Sequence, residues 1–99
     1  MADTTISYYC DKQHVNQLTA LMIAHGVSHV VACPGSRNAV LVHNFTQNPA
    51  FTVYSIIDER SAGFVALGMS IAKNETVAVC VTSGSALLNL LPAVCEAYY

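Results

Sequence analysis

Charged side chains are scarce in this chain, yet four of its ten fall in two short clusters. Arg37 follows Pro34-Gly35-Ser36 and precedes Asn38, and Asp58-Glu59-Arg60 precede Ser61. A third cluster, Thr82-Ser83-Gly84-Ser85, is uncharged but rich in small hydrogen-bonding residues. Each suggests its own chemistry. Gly35 permits a tight turn or a close backbone approach. Ser36 and the amides after it, at a helix start, suit an anion, and Arg37 can grip a carboxylate or phosphate through two parallel hydrogen bonds. Acids that open a helix, as Asp58 and Glu59 do, are favoured by its dipole. Held in a partly apolar cleft, such a carboxylate can share a proton with a ligand. The third cluster would let a flat ligand lie against backbone. Each cluster alone also fits an ordinary turn or helix cap, because short motifs match by chance. The gathering of charge in so charge-poor a chain favours a site.

The elements around the clusters explain how they would meet. Val15, Leu18, Leu21 and Met22 recur at helical spacing and predict a helix from about Asp11, as N-cap, to His25, stopped by Gly26. Val27 to Ala32 is rich in β-branched residues and ends at Pro34-Gly35, which reads as a buried strand. A short helix is expected over about Asn38–Asn44, a second strand over Phe51–Ile57, a helix over Glu59–Lys73 and a third strand over Thr76–Thr82. A last helix runs from Gly84 towards the end of the chain, kinked at Pro92. Alternation of strand and helix predicts an α/β fold: a three-layer parallel β-sheet with crossover helices. All three clusters then sit at strand C-terminal ends, the edge where ligands of open α/β sheets bind. Crossovers made in one direction would place their helices on one face, leaving only the first helix on the other. Apolar sheet surface and an open strand edge would remain, so self-association or a partner is expected.

Composition narrows the function classes. Ninety-nine residues make one domain at most. With 54% hydrophobic and 10% charged residues, the chain is more apolar than a small independent domain needs. That composition suggests part of something larger, or a subunit that buries a face. Four Lys plus Arg and a net charge of −2 give no basic stripe for nucleic acid. No apolar run approaches the ~20 residues of a membrane span, and Met1–Tyr9 is polar, without a leader pattern. Cys10, Cys33, Cys80 and Cys95 form no CxxC pair and read as reduced thiols of a cytoplasmic protein. Cys33 precedes a turn and could serve as a nucleophile, although free cysteine ordinarily behaves as a small hydrophobe. His14, His25, His29 and His43 do not make a metal set; Gly26 interrupts the only pair spaced by four. The third cluster lacks the Gly-Lys-Ser/Thr of a phosphate-binding P-loop and is not GxGxxG.

Three segments together resemble one family. Gly26-Val27 through Val31-Ala32-Cys33-Pro34-Gly35-Ser36-Arg37, then Asp58-Glu59-Arg60-Ser61-Ala62-Gly63-Phe64-Val65-Ala66-Leu67-Gly68-Met69, then Val79 to Pro92 with Thr82-Ser83-Gly84-Ser85-Ala86 and Asn89, are similar in order and spacing to the 2-succinyl-5-enolpyruvyl-6-hydroxy-3-cyclohexene-1-carboxylate synthase family of menaquinone biosynthesis. The likeness covers about Gly26–Ala97. Mild departures are Cys33 where Ser is common, Val40 where Pro is usual and Ser85 where Thr is usual.

The resemblance implies the N-terminal part of a pyrimidine-binding domain of the thiamin-enzyme fold, over residues 1–99. It implies a transferase that decarboxylates 2-oxoglutarate and adds the succinic semialdehyde unit to isochorismate. Glu59 would act as the catalytic acid against the pyrimidine ring of thiamin diphosphate, with Thr82, Ser83 and Gly84 beside that ring. Ser36 and Arg37 would bind substrate carboxylate. The diphosphate and its Mg2+ or Mn2+ would be held by another domain, so this chain alone is expected to be inactive, and the family's sites form between subunits of a homo-oligomer. Two other readings remain open at this point: another thiamin-dependent carboligase such as acetolactate synthase, and a non-catalytic anion-binding or interaction module on an α/β sheet.

Overall fold

A computed structural model describes residues 10–99, so Met1–Tyr9 and the leader reading made there lie outside the described residues. Along these residues run helix α1 (Gln13–Ala24), strand β1 (His29–Ala32), helix α2 (Ala39–Gln47), strand β2 (Thr52–Ser55), helix α3 (Glu59–Lys73), strand β3 (Val77–Cys80), and helices α4 (Gly84–Leu88) and α5 (Leu91–Tyr98). The strands are parallel, in the order β2-β1-β3. Val30 lies beside Val53 and Ala78, and Val31 beside Tyr54 and Val79. β1 is central; its β-branched Val30 and Val31 are fully enclosed, as expected of a strand covered on both faces.

Strand order decides which face each helix covers. The chain steps from β1 outward to β2, then returns past β1 to β3. Right-handed crossovers made in opposite directions lie on opposite faces. On one face Val30, Phe45 and Phe51 cluster with Met22, Leu41 and Val53, so α1 and α2 share that side. On the other, Val31 and Cys33 pack on Ala62 and Ala66 of α3. The expectation that the crossover helices share one face is thereby corrected: it assumed that strands were added in one direction. The result is a three-layer α/β arrangement.

Several element ends differ from the sequence expectation for local reasons. α1 begins after Lys12, whose side chain makes no cap, so Asp11 is not the N-cap. Instead the Asn16 amide clamps the preceding turn: Cys10 N–H donates to Asn16 Oδ1 at 3.1 Å, and Asn16 Nδ2 donates to the Cys10 carbonyl at 2.8 Å. Gly26, at φ 78°, takes the left-handed conformation that ends α1. α2 runs on to Gln47 because Phe45 continues its buried face. The last helix is broken rather than kinked: Pro92 stands in the first turn of α5, where its missing N–H costs nothing. Among the described residues no helix is long and apolar enough to cross a membrane.

The helices are tied by buried polar contacts as well as apolar ones. Asn44 of α2 donates to Asn16 Oδ1 at 3.1 Å and reaches Thr19 Oγ1 of α1 at 3.4 Å. At the opposite end of the sheet His29 Nε2 lies 3.4 Å from Glu75 Oε1, and His29 Nδ1 lies 3.3 Å from the Tyr54 hydroxyl. The outer edges of β2 and β3 have no strand partner among the described residues. Leu87, Leu88, Leu91 and Val94 are exposed on α4 and α5.

α5 approaches α3 closely at Gly63. A methyl group there would lie 2.9 Å from Ala93 Cβ and 3.3 Å from Leu90 Cδ2. Gly63→Val should therefore lower stability by about 1–3 kcal/mol through overpacking. Urea unfolding checks this; an unchanged midpoint would show that the two helices separate without cost.

Candidate active site

The strand order also creates the crevice. Loops that leave β1 and β3 turn towards opposite faces, and this is the kind of switch point at which open α/β sheets take ligands. The loops meet there. A methyl group on Gly35 would fall 2.7 Å from both Cβ and Oγ1 of Thr82, so only glycine allows this approach. Below the contact, the Cys33 N–H donates to the Cys80 carbonyl at 2.9 Å, extending the β1–β3 pairing past β1. Asn38, almost fully buried, ties the loop back down: its Nδ2 donates to the Cys33 carbonyl at 2.8 Å and reaches Cys80 Sγ at 3.6 Å. Its Oδ1 is buried and has no hydrogen-bond partner among the described residues.

The acidic cluster divides its labour. Asp58 is the N-cap of α3, accepting from the Ser61 N–H at 2.9 Å and from the Ser61 hydroxyl at 2.8 Å. The Ser61 hydroxyl, then the Ser61 amide, hold its carboxyl below the ordinary carboxylate range, with Arg60 assisting. Glu59 occupies the first turn of α3, is half-buried, and makes no ion pair among the described residues. Both acids lie close enough to Cys33 to act on its thiol. Burial first, then the charges of Glu59, Asp58 and Cys80, push that thiol above its usual range. A fully enclosed thiol held in its neutral form is no nucleophile, so the catalytic reading of Cys33 is set aside in favour of the structural one. The Cys80 thiol is also raised by burial, partly offset by Asn38. All four cysteines are free thiols.

The remaining residues singled out from sequence take two positions. Thr82 and Ser83 are half-buried and Gly84 is exposed, at the end of β3. The Ser83 side chain makes no capping bond, and a methyl group on Gly84 would meet nothing within 4 Å. Backbone and hydroxyl there are open to a flat ligand. Ser36 and Arg37 are exposed on the loop after β1. Arg37 is not ion-paired with Asp58 or Glu59; it lines a cavity of about 320 Å³ towards α1 and α2, with Lys12, His14, Val15 and Leu41 among its walls. The structure thus brings Gly35 to Thr82 and Glu59 to Cys33, and sets Arg37 to one side. Asn38 was visible only as one more polar residue after Arg37. Lys12 and His14 gave no motif; the available clue was that a helix leading directly into β1 begins at the strands' C-terminal rim.

A half-buried carboxylate without an ion pair among the described residues and an open glycine backbone fit a pyrimidine-bearing cofactor. Residues 13–99 match the family of thiamine pyrophosphate enzymes over its N-terminal TPP-binding domain, and the chain belongs to that family. It is 58% identical over 92% of its length to the 2-succinyl-5-enolpyruvyl-6-hydroxy-3-cyclohexene-1-carboxylate synthase of Bacteroides fragilis. The synthases of that name from Porphyromonas gingivalis and Desulfotalea psychrophila are 52% and 51% identical over 94% and 89% of the chain. The chain spans about 16% of the length of these relatives.

The Asp58 cap carries a pH signature. Its folded pKa lies below the unfolded value, so its stabilising effect is complete above the unfolded pKa near ~4 and is lost as pH falls through the folded one. Asp58→Ala should lower the thermal midpoint at neutral pH, and the gap to the parent chain should close in acid. A gap that persists unchanged to about pH 2 would exclude the ionised carboxylate as its source.

Proposed function

We propose that residues 1–99 supply the pyrimidine-facing part of the cofactor site of a synthase that decarboxylates 2-oxoglutarate and transfers the resulting four-carbon unit to isochorismate. The observation that carries this is Glu59: a half-buried carboxylate in the first turn of α3, without an ion pair among the described residues and near enough to the buried Cys33 to raise its thiol. Identity above one half to synthases of that name supports the choice of reaction over other thiamin-dependent carboligations. Thiamin diphosphate supplies the electron sink that lets a 2-oxoacid lose carbon dioxide.

This chain's residues control position and protons. Glu59 would share its proton with a ring nitrogen of the pyrimidine through a charge-assisted hydrogen bond, which its partial burial would strengthen. The Thr82–Gly84 backbone would offer that ring a flat wall. Ser36 and Arg37 bind a substrate carboxylate, Arg37 through its planar fork. The diphosphate and its Mg2+ or Mn2+ are assigned, on the family resemblance, to another domain. On this reading the 99 residues alone do not turn over. The exposed Leu87, Leu88, Leu91 and Val94 and the open β3 edge are surfaces suited to the rest of that domain and to a homo-oligomer. Four free thiols suit a cytoplasmic, reducing setting.

Two substitutions in the whole gene product test the roles. Glu59→Gln should cost about 10²–10⁴-fold in kcat while leaving the thermal midpoint near that of the parent; near-normal turnover would refute the assignment. Arg37→Ala should raise the apparent KM for a carboxylate substrate by roughly tenfold or more, as the loss of a charged hydrogen bond predicts. Unchanged KM and kcat with both 2-oxoglutarate and isochorismate would remove Arg37 from the substrate site, and activity with pyruvate as acceptor in place of isochorismate would favour the acetolactate-type reading.

A further inference from the structure

Asn38 is buried against the ordinary rule for its residue type. From Pro34 to Val40 every other residue is exposed, Val40 included, while the asparagine is 3% exposed. Hydrophobicity therefore did not select which side chain of this stretch enters the fold. Asn38 is also the N-cap residue of α2, a place where an asparagine side chain ordinarily accepts from an amide of the first helical turn. Here it makes no such bond. Its Oδ1 is buried and has no hydrogen-bond partner among the described residues, which is uncommon for an enclosed acceptor. The cap and a partner for Oδ1 are both forgone, and the side chain instead directs Nδ2 to the Cys33 carbonyl at 2.8 Å and towards Cys80 Sγ at 3.6 Å. A carbonyl oxygen so near accepts only from the nitrogen end of the amide, which settles its orientation.

That bond closes a ring over residues 34–37. Cys33, at one end, is already fixed by donating its N–H to the Cys80 carbonyl at 2.9 Å. The other end runs directly into α2, because the Asn38 carbonyl accepts from the Val42 N–H at 2.9 Å. α2 is in turn tied to α1 through Asn44, Asn16 and Thr19. Between the two ends Gly35 sits against Thr82, and the Ala39 N–H reaches the Ser36 carbonyl at 3.4 Å. Pro34 adds a fixed φ. Ser36 and Arg37 are thus the exposed polar side chains of a loop clamped at both ends. Arg37 has no ion pair among the described residues to orient it, so its direction depends on the backbone that carries it.

We infer that Asn38 is a positioning residue: its bond to Cys33 holds the Pro34–Arg37 loop in the shape from which Arg37 reaches a substrate carboxylate. The inference rests on the substrate-binding role proposed for Ser36 and Arg37. Asn38 itself does not touch substrate, since its side chain is enclosed and its donor is committed to Cys33. A long arginine side chain loses rotamer freedom when its fork engages a ligand. A loop free to move would add backbone disorder that binding must also remove, and fixing the loop beforehand spares that part.

Steady-state kinetics of the whole gene product test the inference. Asn38→Ala should raise the KM of the substrate that Arg37→Ala affects by about three- to tenfold, the scale of one hydrogen bond, with kcat within about twofold. Asn38→Val, which refills the space without a donor, should raise KM as far. Introduced into Arg37→Ala, Asn38→Ala should change KM by less than about twofold, because a residue that acts through Arg37 then has nothing left to position. A merely structural role would lower the thermal midpoint and the active fraction, and so kcat, at constant KM. Unchanged KM with or without a fall in kcat, recovery of KM by Asn38→Val, effects of the two alanine substitutions that multiply in the double variant, or an equal loss of thiamin diphosphate affinity would each overturn it. If Arg37→Ala raises KM and Asn38→Ala does not, only the positioning role is lost and the substrate-binding reading stands. If Arg37→Ala leaves the KM of both 2-oxoglutarate and isochorismate unchanged, that reading falls and the positioning role falls with it.

Discussion

The close approach of the Gly35 backbone to the Thr82 side chain is the constraint on which the site depends. Two loops that leave neighbouring parallel strands for opposite faces are driven apart by the fold, and any side chain at Gly35 would enter the space of Thr82 at 2.7 Å. With only a hydrogen there, the loops close over the ends of β1 and β3, and the Cys33–Cys80 backbone bond carries the pairing one residue further. Asn38 then fixes the far end of the first loop to Cys33. Arg37, the residue just before that anchor, inherits a defined place although its own side chain is exposed. Glu59 is placed by an independent device, the Asp58–Ser61 cap that sets where α3 begins.

Division of roles between adjacent acids has a simple physical basis. An N-cap carboxylate is satisfied by helix amides and a hydroxyl, and its proton affinity falls accordingly. Its neighbour one position on is left half-buried, without an ion pair among the described residues. One acid therefore stabilises the helix start, while the other is available to a ligand. The same arrangement keeps Cys33 inert, because two nearby carboxylates and burial all oppose ionisation of its thiol.

Polar groups inside the fold are few and concentrated. Asn16, Thr19 and Asn44 form one linked set between α1 and α2, and Asn38 forms another link between β1 and α2. Both lie on the helix layer that carries Arg37, whereas on the α3 side Ala62, Ala66 and Met69 pack on apolar strand residues and Cys33. Small side chains on that side let helix and sheet come close, and Gly63 extends the same close packing to α5. What then remains on α4 and α5 is a row of exposed leucines and an open β3 edge, surface that an apolar chain with ten charges has too little polarity to cover.

Local pattern in the amino-acid sequence determined the parts. Helical spacing located α1 and gave α3 its full extent from Glu59 to Lys73, β-branched runs located all three strands, and the three clusters at the strand ends were recognisable as one family's motifs. Local chemistry also predicted the stop at Gly26, which takes a positive φ. What the tertiary structure decided was everything set by non-local contact: the strand order β2-β1-β3, hence helices on both faces rather than one, and hence the meeting of Gly35 with Thr82. It decided that Asn16 rather than Asp11 secures the start of α1, that Asp58 caps while Glu59 does not, and that Lys12 and His14 share a cavity with Arg37. The physical reason is that a residue's own backbone preference and its near neighbours act over a few positions of chain. A close approach or a shared cavity between residues twenty or more positions apart exists only once the sheet has fixed which strand ends lie side by side.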